Sequence, residues 1–248
     1  PAKRRWHRHD AAQTQPPHAY TPMARTDYFK FLDALAANND RAWFQAHRAE
    51  YEAIRDQWLE DLQKLINALA GFRPELRTLA PKDCTYRIYR DVRFSPDKSP
   101  YKRHLGALIA PNGRRCTDAC IYLQVAADGF DTGVYGGLWM PNAAQKRKVR
   151  SAIDADANEF AEIADALDTN PAFTPQWWGE HLKTAPKGWP KDHPMIQYLR
   201  LNEWGRFAPM SRKDFDSPAW IDIAAKHIHA LMPLVDFLNF SIHEDNAL

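Results

Sequence analysis

Thr85-Tyr86-Arg87-Ile88-Tyr89-Arg90-Asp91-Val92-Arg93-Phe94 is where the chain changes its period. Tyr86, Ile88, Val92 and Phe94 alternate with Arg87, Tyr89, Asp91 and Arg93, the two-residue repeat of a strand. Ahead of it, Phe44, His47, Tyr51, Ile54, Trp58, Leu62, Leu65 and Leu69 recur at three or four. That spacing predicts one amphipathic helix over residues 41–70, about 45 Å long at about 1.5 Å per residue, with Gly71 ending it. Asn38-Asn39-Asp40 separates it from a shorter helix that Thr26 caps and that reaches about Ala37. Beyond the switch, residues 104–110, 119–126 and 130–139 read as short strands, with Pro111-Asn112-Gly113 and Asp128-Gly129 as turns between them. Strands joined by such short links pair antiparallel, because parallel neighbours need a long crossover.

Helical patterns return over 143–154 and 157–168, and a Pro- and Trp-rich irregular stretch fills 170–216. Ser217-Pro218 opens a last helix that reaches about Phe240 and that Pro233 is expected to kink. The expected fold class is therefore α+β: an antiparallel β-meander sheet covered by helices from the N- and C-terminal parts of the chain.

The length allows one large domain with a real core or two small ones, and composition argues for a folded globule. Of 248 residues, 45% are hydrophobic, with twelve Phe and nine Trp. Residues 23–248 are expected to form a single α+β domain. Residues 1–22 lack apolar periodicity and are expected to be a flexible N-terminal extension. Net charge is only +2 but is unevenly spread. Residues 1–25 and 82–106 carry +4 each, which leaves 21 bases against 27 acids elsewhere. A mildly acidic body with two basic patches is unlike a protein that coats nucleic acid through one broad basic face. Cys84, Cys116 and Cys120 are expected to be free thiols. The start of the chain is basic without an apolar core to follow, so a secretory signal is not expected there, although an organelle presequence stays open. No apolar run reaches membrane-spanning length. A cytoplasmic location without membrane contact is expected.

The basic stretch is the principal candidate site. Seven Lys or Arg face three Asp over 82–106, interleaved with Tyr86, Tyr89, Phe94 and Tyr101, and the Ser95–Pro100 loop is stiffened by two prolines. Convergent guanidinium groups suit bidentate binding of phosphate or carboxylate, Lys adds point charge, and tyrosines stack or donate hydrogen bonds. Arg87, Tyr89, Arg93, Lys98, Tyr101 and Lys102 are the expected ligand-binding residues, joined by Trp139 beside Gly136-Gly137 and by Lys187. The structural alternative is that these arginines pair with acids of the body such as Asp33, Glu50 or Asp61, with Arg90 on the apolar face the foremost structural member. His193 beside Asp192 is a candidate acid–base pair near neutral pH; the competing reading is a helix start capped by Asp192. Cys116 and Cys120 have only a C-x3-C spacing, too little for a zinc site, so neither a metal nor a cofactor is expected. No P-loop, G-x-S-x-G, H-E-x-x-H or G-x-G-x-x-G motif occurs.

The order of these features resembles the bacterial and fungal family called domain of unknown function 2461. The resemblance rests on Asn38–Phe44, on Arg87–Lys102, on Gly136–Pro141, on Pro186–Pro194 and on the closing helix ending Phe237-Leu238-Asn239. It runs from about Thr26 to Phe240, leaves residues 1–22 without a counterpart, and implies the α+β fold but no activity. From the residues, the expectation is a small phosphorylated or carboxylated ligand held in a basic, aromatic-lined pocket, with enzymatic activity left open. The alternative is a non-catalytic interaction protein that docks an acidic partner or nucleic acid through the same basic ridge.

Overall fold

A computed structural model of the protein describes residues 26–127 and 131–244. The extension expected over 1–22 and the Asp128-Gly129 turn lie outside those residues. Helix α1 (Thr26–Ala37) buries Phe29, Leu32 and Leu35. Asp40 then caps α2 (Arg41–Ala46) by accepting a hydrogen bond from the Trp43 N–H at 2.9 Å. The single helix expected over 41–70 is interrupted: α2 stops at His47 and α3 (Arg48–Leu69) begins after it. The backbone N–H of His47 donates to the Trp43 carbonyl, its ring Nδ1 meets the same oxygen at 2.8 Å, and its ring stacks on the Trp43 indole at 3.9 Å. These local bonds cap the end of α2.

After the short helix α4 (Pro81–Cys84), the strand expected over 85–94 does not form. Only single bridges occur there, Thr85 with Ala107 and Tyr89 with Tyr101. Asp91 accepts from the Arg93 N–H at 3.2 Å and Asp97 from the Ser99 N–H at 2.9 Å. Such side-chain turns reverse the chain before a ladder can extend, and Pro96 and Pro100 bring no donors to one. The segment is an irregular hairpin tied by Arg90 N–H to Pro100 O at 2.9 Å and Lys102 N–H to Ile88 O at 2.7 Å.

Strands β1 (His104–Ile109), β2 (Cys120–Ala126) and β3 (Gly133–Leu138) form the meander expected. Helices α5 (Ala143–Ala155) and α6 (Ala157–Asp168) follow; Asn142 and Gln145 make a reciprocal capping box at the start of α5. After α7 (Ile196–Leu199), a fourth strand, β4 (Trp204–Pro209), emerges from the stretch expected to be irregular and pairs antiparallel with β3. Helix α8 (Arg212–Asp216) leads into α9 (Trp220–His243), which continues through Pro233.

One face of the sheet carries the core. Ala107, Ile109, Ile121, Leu123, Val125 and Val134 are buried there together with Trp58, Trp204 and Trp220, and each large side chain so buried contributes about 1.5–3 kcal/mol. Helix α9 lies close against β3 because Gly136 has no side chain: a Cβ there would stand 2.9 Å from Leu231 Cδ1. Among the described residues, no helix lines the cleft on the other, open face of the sheet.

Candidate functional site

Strand alternation places every second residue on that open face, and the register aligns three aromatic residues across it. Tyr122 stands opposite Tyr135, and Tyr135 opposite Phe207. Tyr135 stacks on Phe207 with ring centroids 4.1 Å apart and meets Tyr122 at 6.1 Å. Tyr86, from the segment before β1, extends the row, 6.3 Å from Tyr122. At the far end Trp178 lies 5.5 Å from Tyr135 and stacks on Trp139 at 4.1 Å. This aromatic row lines a cleft of about 680 Å³. Gly106 makes room for it, since a Cβ there would lie 2.1 Å from the Tyr122 hydroxyl oxygen.

A strap over residues 174–179 forms the opposite wall. The Thr174 N–H donates to Phe207 O and the Trp178 N–H to Gly205 O, both at 2.9 Å. Arg206 anchors the strap from beneath. Its fully buried guanidinium pairs with Asp168 at the end of α6 and donates to the carbonyls of Leu167 at 3.1 Å and Thr174 at 2.7 Å. It also lies 5.2 Å from the centre of the Trp177 ring.

The walls are apolar and their polar groups few. Burial raises the phenol pKa of Tyr86 and Tyr135 and pushes that of Tyr122 up to about 12, so all three stay protonated at neutral pH. Lys102 is the one basic side chain among the described residues that line the cleft. Its Nζ lies 5.2 Å from the Tyr86 ring centre, and no carboxylate among the described residues pairs with it. Burial, then the charge of Arg87, lowers its pKa. Among the described residues this half-buried ammonium has no ion-pair partner, although the Asp131 carboxylate lines the same cleft.

The expected binding residues are dispersed. Lys102 and Trp139 line this cleft, whereas Arg87 and Tyr89 line a smaller one of about 290 Å³ that shares Tyr86. Arg93 forms a two-pronged pair with Asp91, Nε to Oδ1 at 3.0 Å and Nη2 to Oδ2 at 2.6 Å, both side chains exposed. Lys98 Nζ donates to Val92 O at 3.0 Å. Tyr101 is buried, stacks on Phe44 at 4.0 Å, and has both backbone polar groups bonded by the Asn39 amide. Lys187 is exposed and lines neither cleft.

Arg90 is built into the loop, pairing with Asp97 and donating to Ser99 O at 3.1 Å. The hydroxyl of Ser99, then its N–H, then Arg90, pull the Asp97 carboxyl down to about 2. Among the acids that could have paired with the basic stretch, Asp33 takes Arg212 and Asp61 takes Lys64.

His193 has both ring nitrogens engaged. Nδ1 accepts from the Met195 N–H at 3.1 Å, which makes Nε2 the donor to Asp154 at 2.9 Å. Trp189 Nε1 donates to the other oxygen of Asp154 at 3.0 Å, so this histidine ties its loop to α5. Asp192 is exposed beside it. The three cysteines are unpaired in the structure; Cys120 lines the cleft, and no cluster of three or more His, Cys, Asp or Glu able to hold a metal occurs among the described residues.

Tyr86, Tyr122, Tyr135, Trp178 and Phe207 were not among the binding residues expected from the sequence. One signal did exist. The outward positions of two strands are Cys120, Tyr122 and Gln124 and then Tyr135 and Gly137, a solvent face without a single charge.

A family model described as conserved hypothetical protein (DUF2461) matches residues 27–237, a span that includes every residue of the aromatic row, and the chain belongs to that family. No curated protein and no solved structure matches it. No helix among the described residues is long and apolar enough to cross a membrane.

Proposed function

We propose that this member of the family binds a small molecule bearing a flat ring and an anionic group, phosphate or carboxylate, in the cleft on the open face of the sheet. The observation that carries the reading is Lys102: a half-buried ammonium with no carboxylate partner among the described residues, at the end of a row of aromatic rings. An unpaired cation in a partly desolvated site is costly on its own and is offset by a ligand anion. Stacking of a flat ring on the aromatic side chains adds about 1–3 kcal/mol per ring. The mixture of apolar walls and few polar groups is that of small-molecule clefts.

The competing reading, a basic ridge for an acidic partner or nucleic acid, draws less support. Arg90 and Arg93 are already neutralised by Asp97 and Asp91, and Lys98 is turned onto the Val92 carbonyl.

Trp139, Trp177 and Trp178 line the cleft and report on its occupancy. Tryptophan fluorescence titrated with the four nucleoside 5′-monophosphates and with aromatic carboxylates should show saturable quenching by at least one class. Lys102→Met should weaken that binding about tenfold, equal to about 1.4 kcal/mol. Absence of quenching by every compound at millimolar concentration overturns the proposal. A salt slope as steep as that of a phosphate-tracking protein favours the ridge instead.

A further inference from the structure

We infer that the ligand continues past Tyr86 into the adjoining cleft and carries a second anionic group there, which makes it a ring-bearing diphosphate or a compound of equivalent charge. This rests on the cleft reading above and extends it to a subsite. The adjoining cleft, about 290 Å³, holds three guanidinium groups, Arg48, Arg55 and Arg87, against the single carboxylate of Glu52.

Helix periodicity accounts for two of them. Arg48 and Arg55 lie seven residues apart on α3, hence on one stripe, with Tyr51 between them. The irregular segment 85–89 forms the facing wall and supplies Arg87 and Tyr89. Arg48 binds Glu52 through Nε at 2.9 Å, and Arg55 binds Asp56 through Nε at 3.0 Å and Nη2 at 2.7 Å. Arg87 has no ion-pair or hydrogen-bond partner among the described residues. Among the described residues neither Lys102 nor Arg87 has an ion-pair partner, although the Arg87 charge also acts on Asp91; the two cations are close enough to raise each other's electrostatic cost, one beside each cleft, with Tyr86 lining both. A planar guanidinium fork recognises phosphate through paired N–H donors, and like charges held together without counter-ions are satisfied by a polyanion. At about 30 Å³ per water the subsite has room for about ten waters, ample for a phosphate group.

The experiment is a charge series in metal-free buffer: mono-, di- and triphosphates of each nucleoside, titrated into the parent protein, Arg87→Met and Lys102→Met. In the parent, the Kd of the tightest series should fall at least tenfold from mono- to diphosphate. Arg87→Met should shrink that step to under threefold while leaving monophosphate affinity within threefold, whereas Lys102→Met should weaken every member alike. Inorganic pyrophosphate, compared with sulfate at equal ionic strength, should raise the melting temperature of the parent and not of Arg87→Met. Monophosphate binding without a diphosphate step, or a step that survives in Arg87→Met, overturns the subsite and leaves the aromatic cleft standing. No binding by any nucleotide and no response to pyrophosphate overturns the subsite, and the cleft reading falls with it when no aromatic carboxylate quenches the tryptophans either.

Discussion

Arg206→Met isolates the support of the cleft wall. The guanidinium is fully buried and bridges three groups: the carboxylate of Asp168, the carbonyl of Leu167 and the carbonyl of Thr174 in the strap. Methionine keeps much of the apolar stem and leaves those acceptors without their donor. Breaking a buried pair from one side costs about 3–5 kcal/mol. Two features reduce it here. Arg206 Nε has no hydrogen-bond partner, so its removal returns about 1 kcal/mol, and Asp168 is partly exposed and regains water. The net loss is about 2–3 kcal/mol, which at about 2–4 °C per kcal/mol for a domain of this size lowers Tm by about 5–10 °C. Urea melts of parent and variant measure the loss. Hydrogen exchange at the Thr174 and Trp178 amides reads the strap itself, because their acceptors lie on β4 next to the lost anchor. Asp168→Asn is expected to cost at least as much, since it strands the buried cation. A stability for Arg206→Met within about 0.5 kcal/mol of the parent, a shift typical of an ordinary surface change, would refute the anchoring role.

Two further outcomes are expected. Burial, then Lys102 and Arg103, push the His104 imidazole down to about 4. The unfolded chain takes up its proton near pH 6.5 and the folded chain only near 4, so stability is intact above 6.5 and falls as pH drops through that window, by at most about 3 kcal/mol. His104→Phe should flatten this limb relative to the parent in urea melts at pH 7 and 4.5, and an unchanged difference contradicts it. Among the thiols, Cys116 is half-exposed and brought to about 7, chiefly by the Cys120 thiol, while burial pushes Cys84 up to about 12. Brief iodoacetamide treatment followed by peptide mapping should label Cys116 first, and labelling of Cys84 ahead of it contradicts the assignment.

Much of the fold was legible in local chemistry. Helices α1 and α6 form where apolar spacing placed them, and β1 to β3 where alternation and turn residues did. The failures share a cause, residues whose role is set by partners distant in sequence or by side chains acting on their own backbone. Trp204-Gly205-Arg206-Phe207 did not read as a strand because its core-facing position holds an arginine, acceptable only once Asp168, 38 residues earlier, is in place. Thr85–Phe94 did read as a strand because Asp91, Asp97 and Ser99 give no periodic sign that they will turn the chain. The basic stretch was visible as charge. Which cations would be neutralised depended on side-chain geometry that spacing does not encode: Arg93 folds back on Asp91, while Arg87 and Lys102 pair with no carboxylate among the described residues. The aromatic row was hidden for a related reason, since Tyr122, Tyr135 and Phe207 become neighbours only through the register of three strands.

The strap has a second consequence, for how molecules of this protein treat one another. Strand β4 is the last of the sheet, and the carbonyls along its outer margin would offer a template for strand addition by another copy. Thr174 and Trp178 occupy two of those carbonyls, and at the opposite margin Thr85 bridges to Ala107 of β1. The segments that frame the cleft are thus also what keeps the sheet from propagating between molecules. A change that widened the cleft by loosening the strap would leave the core intact and uncover that margin, and it would show itself first as concentration-dependent self-association.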